Sequence, residues 1–279
     1  MAAVRPLLAL ALAAALAGCG GAAERHAAAE GIARSGGLVA GRVAAGPFDL
    51  ALWQRPGRAE SVTVYIEGDG FAWAERGRPS PDPTPYRPLA LDLAVRDPSP
   101  AVAVVGRPCQ YRAGAARPQP ACDDARWWTG ARFAPEVVAA VGAAVDRAKA
   151  AAGATAVHLV GYSGGGAVAA LVAARRDDVA SLRTVAGNLD PAWVNARHGV
   201  DPLRGSLSPL DVAPRLARLP QTHFVGRRDA VVPPETAERF VAALGTGTCA
   251  RVVAVEADHH DGWIEAWQRL VAYPSACAP

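Results

Sequence analysis

From residue 156 to the C-terminus, short apolar runs of strand length alternate with longer helical stretches. The strand-like runs are 156–160, 182–186, 222–225 and 252–255, and the helical ones 164–175, 233–244 and 263–271. This pattern is that of a mostly parallel sheet covered by helices. The upstream half fits the same plan. Residues 38–43 and 48–53 are spaced as a hairpin, 61–66 reads as a strand, 89–95 as a short helix and 101–105 as a strand. Residues 135–151 form an amphipathic pattern with Pro135 in the first turn. With 279 residues, 51 % of them apolar, the chain can bury one α/β core, assigned to residues 38–279. Residues 188–219 are irregular, short, and expected to form a small cap.

Charge narrows the partners. The formal net charge is +3, and +2 without the first 18 residues, whose one charged group is Arg5. Such a balance favours neither nucleic acid nor a polybasic membrane patch. Residues 7–17 are apolar but too few to span a bilayer, and with Arg5 ahead of them they read as a signal peptide over 1–18. The segment Leu16-Ala17-Gly18-Cys19 resembles the lipobox of bacterial lipoproteins, which implies acylation of Cys19 and a membrane anchor made of several acyl chains. Residues 19–37, rich in Ala and Gly, are then expected to be a flexible tether. The expected location is the bacterial cell envelope, and Gly20 in place of Asp after the lipidated cysteine favours the outer membrane of a Gram-negative cell.

Export also accounts for the other cysteines. Four remain, Cys109, Cys122, Cys249 and Cys277, and in an oxidising compartment they allow three pairings. Cys109 with Cys122 would close a short loop, and Cys249 with Cys277 would pin the C-terminal tail. Those are the expected bridges, each contributing about 2–4 kcal/mol through the unfolded state.

Gly161-Tyr162-Ser163-Gly164-Gly165 matches GxSxG between an apolar strand and an Ala-rich helix. A serine on that tight turn stands out at the carboxyl edge of the sheet, where the flanking glycines relieve the crowding of backbones. It is the expected nucleophile. A base is expected after the last strand, within Asp258-His259-His260-Asp261; His259 is preferred because Trp263, four residues on, would open the final helix beneath it. The carboxylate that orients the base is expected after the preceding strand, at Asp229, with Asp190 as the alternative. Two N–H donors must face the oxyanion that forms. Gly164 supplies one, and the turn after residue 66 the other, from Asp69 or Gly70. Glu67-Gly68 stands there where many hydrolases have His-Gly. Trp73, Tyr162 and Trp128 are candidates for the substrate pocket. The Asp258–Asp261 cluster has metal-ligating residue types, but adjacent residues rarely aim at one ion, so no metal and no organic cofactor is expected.

These residues resemble a family. Tyr65-Ile66-Glu67-Gly68-Asp69-Gly70 with Trp73, Arg107-Pro108-Cys109-Gln110-Tyr111, Cys122-Asp123 with Trp128-Thr129, and Gly161 through Gly166 resemble bacterial α/β-hydrolase lipoproteins, from about Val62 to Trp267. The resemblance implies the α/β-hydrolase fold, the triad Ser163, Asp229 and His259, and the Cys109–Cys122 bridge. It implies no particular substrate beyond a small acyl compound. The expected chemistry is cleavage of an ester or thioester. The alternative is a non-catalytic envelope lipoprotein that uses the same fold for binding, a reading whose signature would be loss of a triad member. Nothing in the sequence points to an oligomeric state.

Overall fold

A computed structural model describes residues 21–115, 117–274 and 277. Eight strands form one sheet: β1 (Val39–Ala45), β2 (Phe48–Gln54), β3 (Ser61–Ile66), β6 (Val102–Val105), β7 (Ala156–Tyr162), β8 (Val179–Val185), β9 (Gln221–Gly226) and β10 (Ala250–Val255). Their order across the sheet is β1-β2-β6-β3-β7-β8-β9-β10. β1 and β2 pair antiparallel, as do β2 and β6, and every pairing from β6 to β10 is parallel. A separate small ribbon joins β4 (Trp73–Glu75) to β5 (Arg78–Pro79).

Strand residues alternate between two cores, one on each face. Val62, Val64 and Ile66 of β3 bury into one, with α3 (Pro135–Ala152), α4 (Gly164–Ala173) and α7 (Glu235–Ala243) over them. Tyr65 points the other way, into a core shared with Trp53, Phe224, α2 (Leu89–Ala94) and α8 (Trp263–Val271). A side-chain period of two on strands buried on both sides produces this division. α4 is apolar on all sides and fully buried, as a helix in the middle of a covered sheet must be.

Two features depart from the sequence reading. Residues 21–35, expected within a flexible tether, form a helix, α1, packed on the second core through Ala29 and Ala33. Glu30 accepts from Trp53 Nε1 at 3.0 Å, and Arg25 sits over the rings of Phe71 and Tyr86. The stripe that docks α1 is alanine at i and i+4, with little hydrophobicity to announce it. The signal sequence and Cys19 lie outside the described residues. In the 188–219 segment, α5 (Pro191–Arg197) and α6 (Pro209–Val212) form, but no residue of that segment lines the cleft described below. Pro209, Ala213 and Leu216 are instead buried, the last two within the first core.

Candidate active site

The sheet order brings three loops together at its carboxyl edge. β3 and β7 are parallel neighbours in register Ile66↔Gly161, so the turn at 67–70 lies beside the turn at 162–164. β9 and β10 end level, with Gly226 opposite Val255, and send out the loops that carry Asp229 and His259.

Ser163 stands between β7 and α4 with φ 51° and ψ −123°, a backbone that L-residues adopt at a cost of about 1–3 kcal/mol. Packing holds it there. Ser163 N–H donates to Val185 O at 3.0 Å, and its carbonyl accepts from Gly166 and Asn188. The glycines are required by contact: a Cβ on Gly165 would lie 2.3 Å from Ile66 O, and one on Gly161 would lie 2.4 Å from Gly165 O.

Ser163 Oγ is 3.0 Å from His259 Nε2, and His259 Nδ1 is 2.8 Å from Asp229 Oδ2. The other carboxylate oxygen of Asp229 accepts from the N–H groups of Val231 and Val232, at 2.9 and 2.7 Å. Both oxygens are thereby engaged, and the carboxylate is fixed in the orientation that receives Nδ1–H. His259 and Asp229 are buried, which shields the chain of hydrogen bonds from water.

The rest of the Asp258–Asp261 cluster diverges. Asp258 Oδ1 accepts from the N–H groups of His260 and Asp261, Asp261 pairs with Arg87, and His260 Nδ1 meets the Tyr162 hydroxyl at 3.0 Å. The Tyr162 hydroxyl also donates to His259 O at 3.0 Å. Burial, chiefly, holds His260 below the usual histidine range. Asp190, the alternative acid, caps α5 through Trp193 N–H and pairs with Arg239 at 2.7 Å, away from His259.

On the other side of Ser163, the 67–70 turn touches the serine turn directly. A Cβ on Gly68 would meet the Tyr162 ring and Ser163 Cβ, and one on Gly164 would lie 2.0 Å from Asp69 Oδ1. Among the described residues, no acceptor engages the backbone N–H of Gly164 or Asp69. Glu67, in the position where histidine is common, turns inward: it is buried, and its Oε1 accepts from Leu91 N–H in the first turn of α2 at 3.1 Å. Burial raises its carboxyl to about 7.

A cleft of about 500 Å³ opens over Ser163. Phe71, Trp73, Pro85, Tyr86 and Val231 give it apolar walls, and Arg87, Arg132 and His260 give it polar ones. Trp73, Tyr86 and Val231 are 44 %, 63 % and 48 % exposed, so its rim offers large apolar groups to solvent. Of the three sequence-expected pocket residues, Trp73 and Tyr162 line the cleft. Trp128 does not; its indole N–H is spent on Ser80 O at 3.2 Å and its ring is buried in the first core. Phe71, Tyr86 and Arg132 were missed, because nothing in their local pattern marks them as site residues. Cys109–Cys122 and Cys249–Cys277 are both disulfide-bonded.

No family model and no curated protein matches the chain. Solved structures do. An esterase of Pyrococcus furiosus, Pf2001, superposes with a TM-score of 0.58 at 15 % identity, over 84 % of this chain and 90 % of that one. The fold is that of the α/β-hydrolases. Est1E of Butyrivibrio proteoclasticus superposes on the same architecture with a TM-score of 0.56 at 15 % identity, over 83 % and 95 % of the two chains. An α/β serine hydrolase homologue of Coxiella burnetii gives 0.56 at 16 %, over 84 % and 95 %. In an α/β-hydrolase fold the order serine, acid, histidine along the chain is the one found here at 163, 229 and 259.

Proposed function

We propose that this chain is a serine hydrolase that cleaves an ester or thioester through an acyl-Ser163 intermediate. The observation that carries the reading is the continuous hydrogen-bonded chain Ser163 Oγ, His259, Asp229, at 3.0 and 2.8 Å. His259 Nε2 takes the Ser163 hydroxyl proton as Oγ attacks the substrate carbonyl carbon. Asp229 fixes the tautomer and stabilises the imidazolium. The carbonyl electron pair moves onto oxygen, where the N–H groups of Gly164 and Asp69 receive the negative charge. Asp69 is preferred to Gly70 because it is the turn residue that touches Gly164. Collapse expels the alcohol or thiol with the proton held on His259. Water, deprotonated by the same nitrogen, then releases the acid. The apolar walls of the cleft suit an apolar acyl group, which makes carboxylesterase-like specificity the natural expectation.

The two disulfides fit an exported protein. We place the hydrolase at the bacterial envelope, anchored through acylated Cys19. Incorporation of labelled palmitate into the wild type, and its loss in Cys19→Ala, tests the anchor; equal labelling of both contradicts it.

The enzymatic test is turnover of nitrophenyl esters of increasing chain length. Wild type is expected to hydrolyse at least the short ones, and Ser163→Ala to lower kcat by about 10⁴- to 10⁶-fold. Turnover unchanged in Ser163→Ala would overturn the reading.

A further inference from the structure

The Asp69 carboxylate raises a problem that the hydrolase reading leaves open. It lies against Gly164, beside the spot where negative charge would develop, and a bare carboxylate there would oppose the reaction. Two guanidinium groups meet it. Arg107 Nη1 lies 3.2 Å from Oδ1 and Arg132 Nε lies 2.9 Å from Oδ2. Arg107 is buried, burial holds its guanidinium below the usual arginine range, and its other end donates to the Arg132 carbonyl. Both cations flank the ring of Phe133. Gln110, three residues past Arg107, is also buried: its Nε2 donates to Gly68 O and its Oε1 accepts from Arg107 N–H, both at 2.9 Å. The Arg107–Gln110 segment thus grips two consecutive residues of the 67–70 turn, and the Cys109–Cys122 disulfide ties that segment down.

We propose that Asp69 is a positioning residue: its carboxylate, clamped by Arg107 and Arg132, fixes its own N–H beside that of Gly164, and the second guanidinium gives the oxyanion site a net positive surrounding. The inference rests on the acyl-enzyme reading above. One carboxylate against two guanidiniums leaves +1 at the cradle. Removing Arg132 leaves zero, and removing the Asp69 charge as well returns +1 through Arg107, whose donor can still reach an amide oxygen at position 69.

Charge restoration separates this role from mere support of the fold. Ester hydrolysis, and inhibition by a trifluoromethyl ketone that adds to the serine as an oxyanionic hemiketal, are measured for wild type, Arg132→Met, Arg132→Gln, Asp69→Asn and the Asp69→Asn/Arg132→Met double variant. Losing part of an oxyanion site costs less than the 10²- to 10³-fold of deleting a donor. Arg132→Met and Arg132→Gln are therefore expected to lose about 10- to 100-fold in kcat with KM within about threefold. Ketone affinity should fall in proportion to kcat/KM. The double variant is expected to recover at least about threefold of the kcat lost by Arg132→Met. Because the Arg132 side chain is largely buried, two independent replacements guard against one that fails to fold. The proposal is overturned if both Arg132 variants keep wild-type kcat, or if the double variant is as slow as the product of the single losses. Absence of turnover and of ketone binding in the wild type would instead sink the acyl-enzyme reading itself.

Discussion

Glu67 is a carboxyl group placed where its charge is costly. Burial lifts it from an ordinary 4.5 to about 7, against the lowering pull of the Leu91 N–H. Between those values the folded chain holds the proton more tightly than the unfolded chain does. Its stabilising contribution is therefore complete below about pH 4.5 and is lost as pH rises through 7, by about 3 kcal/mol in all. His223, kept neutral by burial at about 3, acts in the opposite direction, its contribution present above the ordinary histidine value and lost toward low pH. Comparison of wild type with Glu67→Gln isolates the carboxyl, since the amide can still accept from Leu91. Urea denaturation at pH 5 and pH 8 is expected to show the variant gaining on wild type by about 2.5 kcal/mol at the higher pH. Parallel behaviour at the two pH values would contradict the buried-acid assignment.

The elements that build the site are β3, β7 and α4, and their contacts are backbone against backbone. At Gly165 the atom in the way of a side chain is the Ile66 carbonyl, which cannot move without breaking the β3 pairing. Gly165→Ala is thus expected to cost about 3 kcal/mol or more in thermal or urea denaturation. Gly142, with nothing near its Cβ position, is the control within helix α3 and should gain stability as alanine, by up to about 1 kcal/mol. If Gly165→Ala were as mild as the control, the tight turn would not be what imposes the Ser163 conformation. This element was legible in the sequence because its chemistry is local: GxSxG between a strand and a helix determines a turn, and strand order then places Asp229 and His259. The Asp69 cradle was not legible. Its parts come from positions 69, 107, 110 and 132, and ion pairs across that separation leave no periodicity. Trp128 shows the converse: a tryptophan among the motif residues suggests a pocket wall, but a hydrogen bond to Ser80 holds its indole inside the core.

At the scale of the molecule, α1 is the largest departure from what the sequence suggests. Its alanine stripe gives no strong amphipathic signal, yet it covers Trp53 and carries the Glu30 and Arg25 contacts. Deleting residues up to 36 is expected to cost on the order of 2 kcal/mol. For a chain of this size that corresponds to a melting temperature lower by about 4–8 °C. A tether would be removed without effect. The Cys109–Cys122 bridge, just after β6, and the two cores brace the carboxyl edge of the sheet, and the triad depends on that bracing because its three members come from three loops. The most direct measurement of the central claim is covalent labelling of the folded wild type by a fluorophosphonate, followed by peptide mass mapping. The account predicts one adduct, on Ser163, and none on Ser163→Ala; a folded wild type that takes no label, or takes it on another residue, would contradict it.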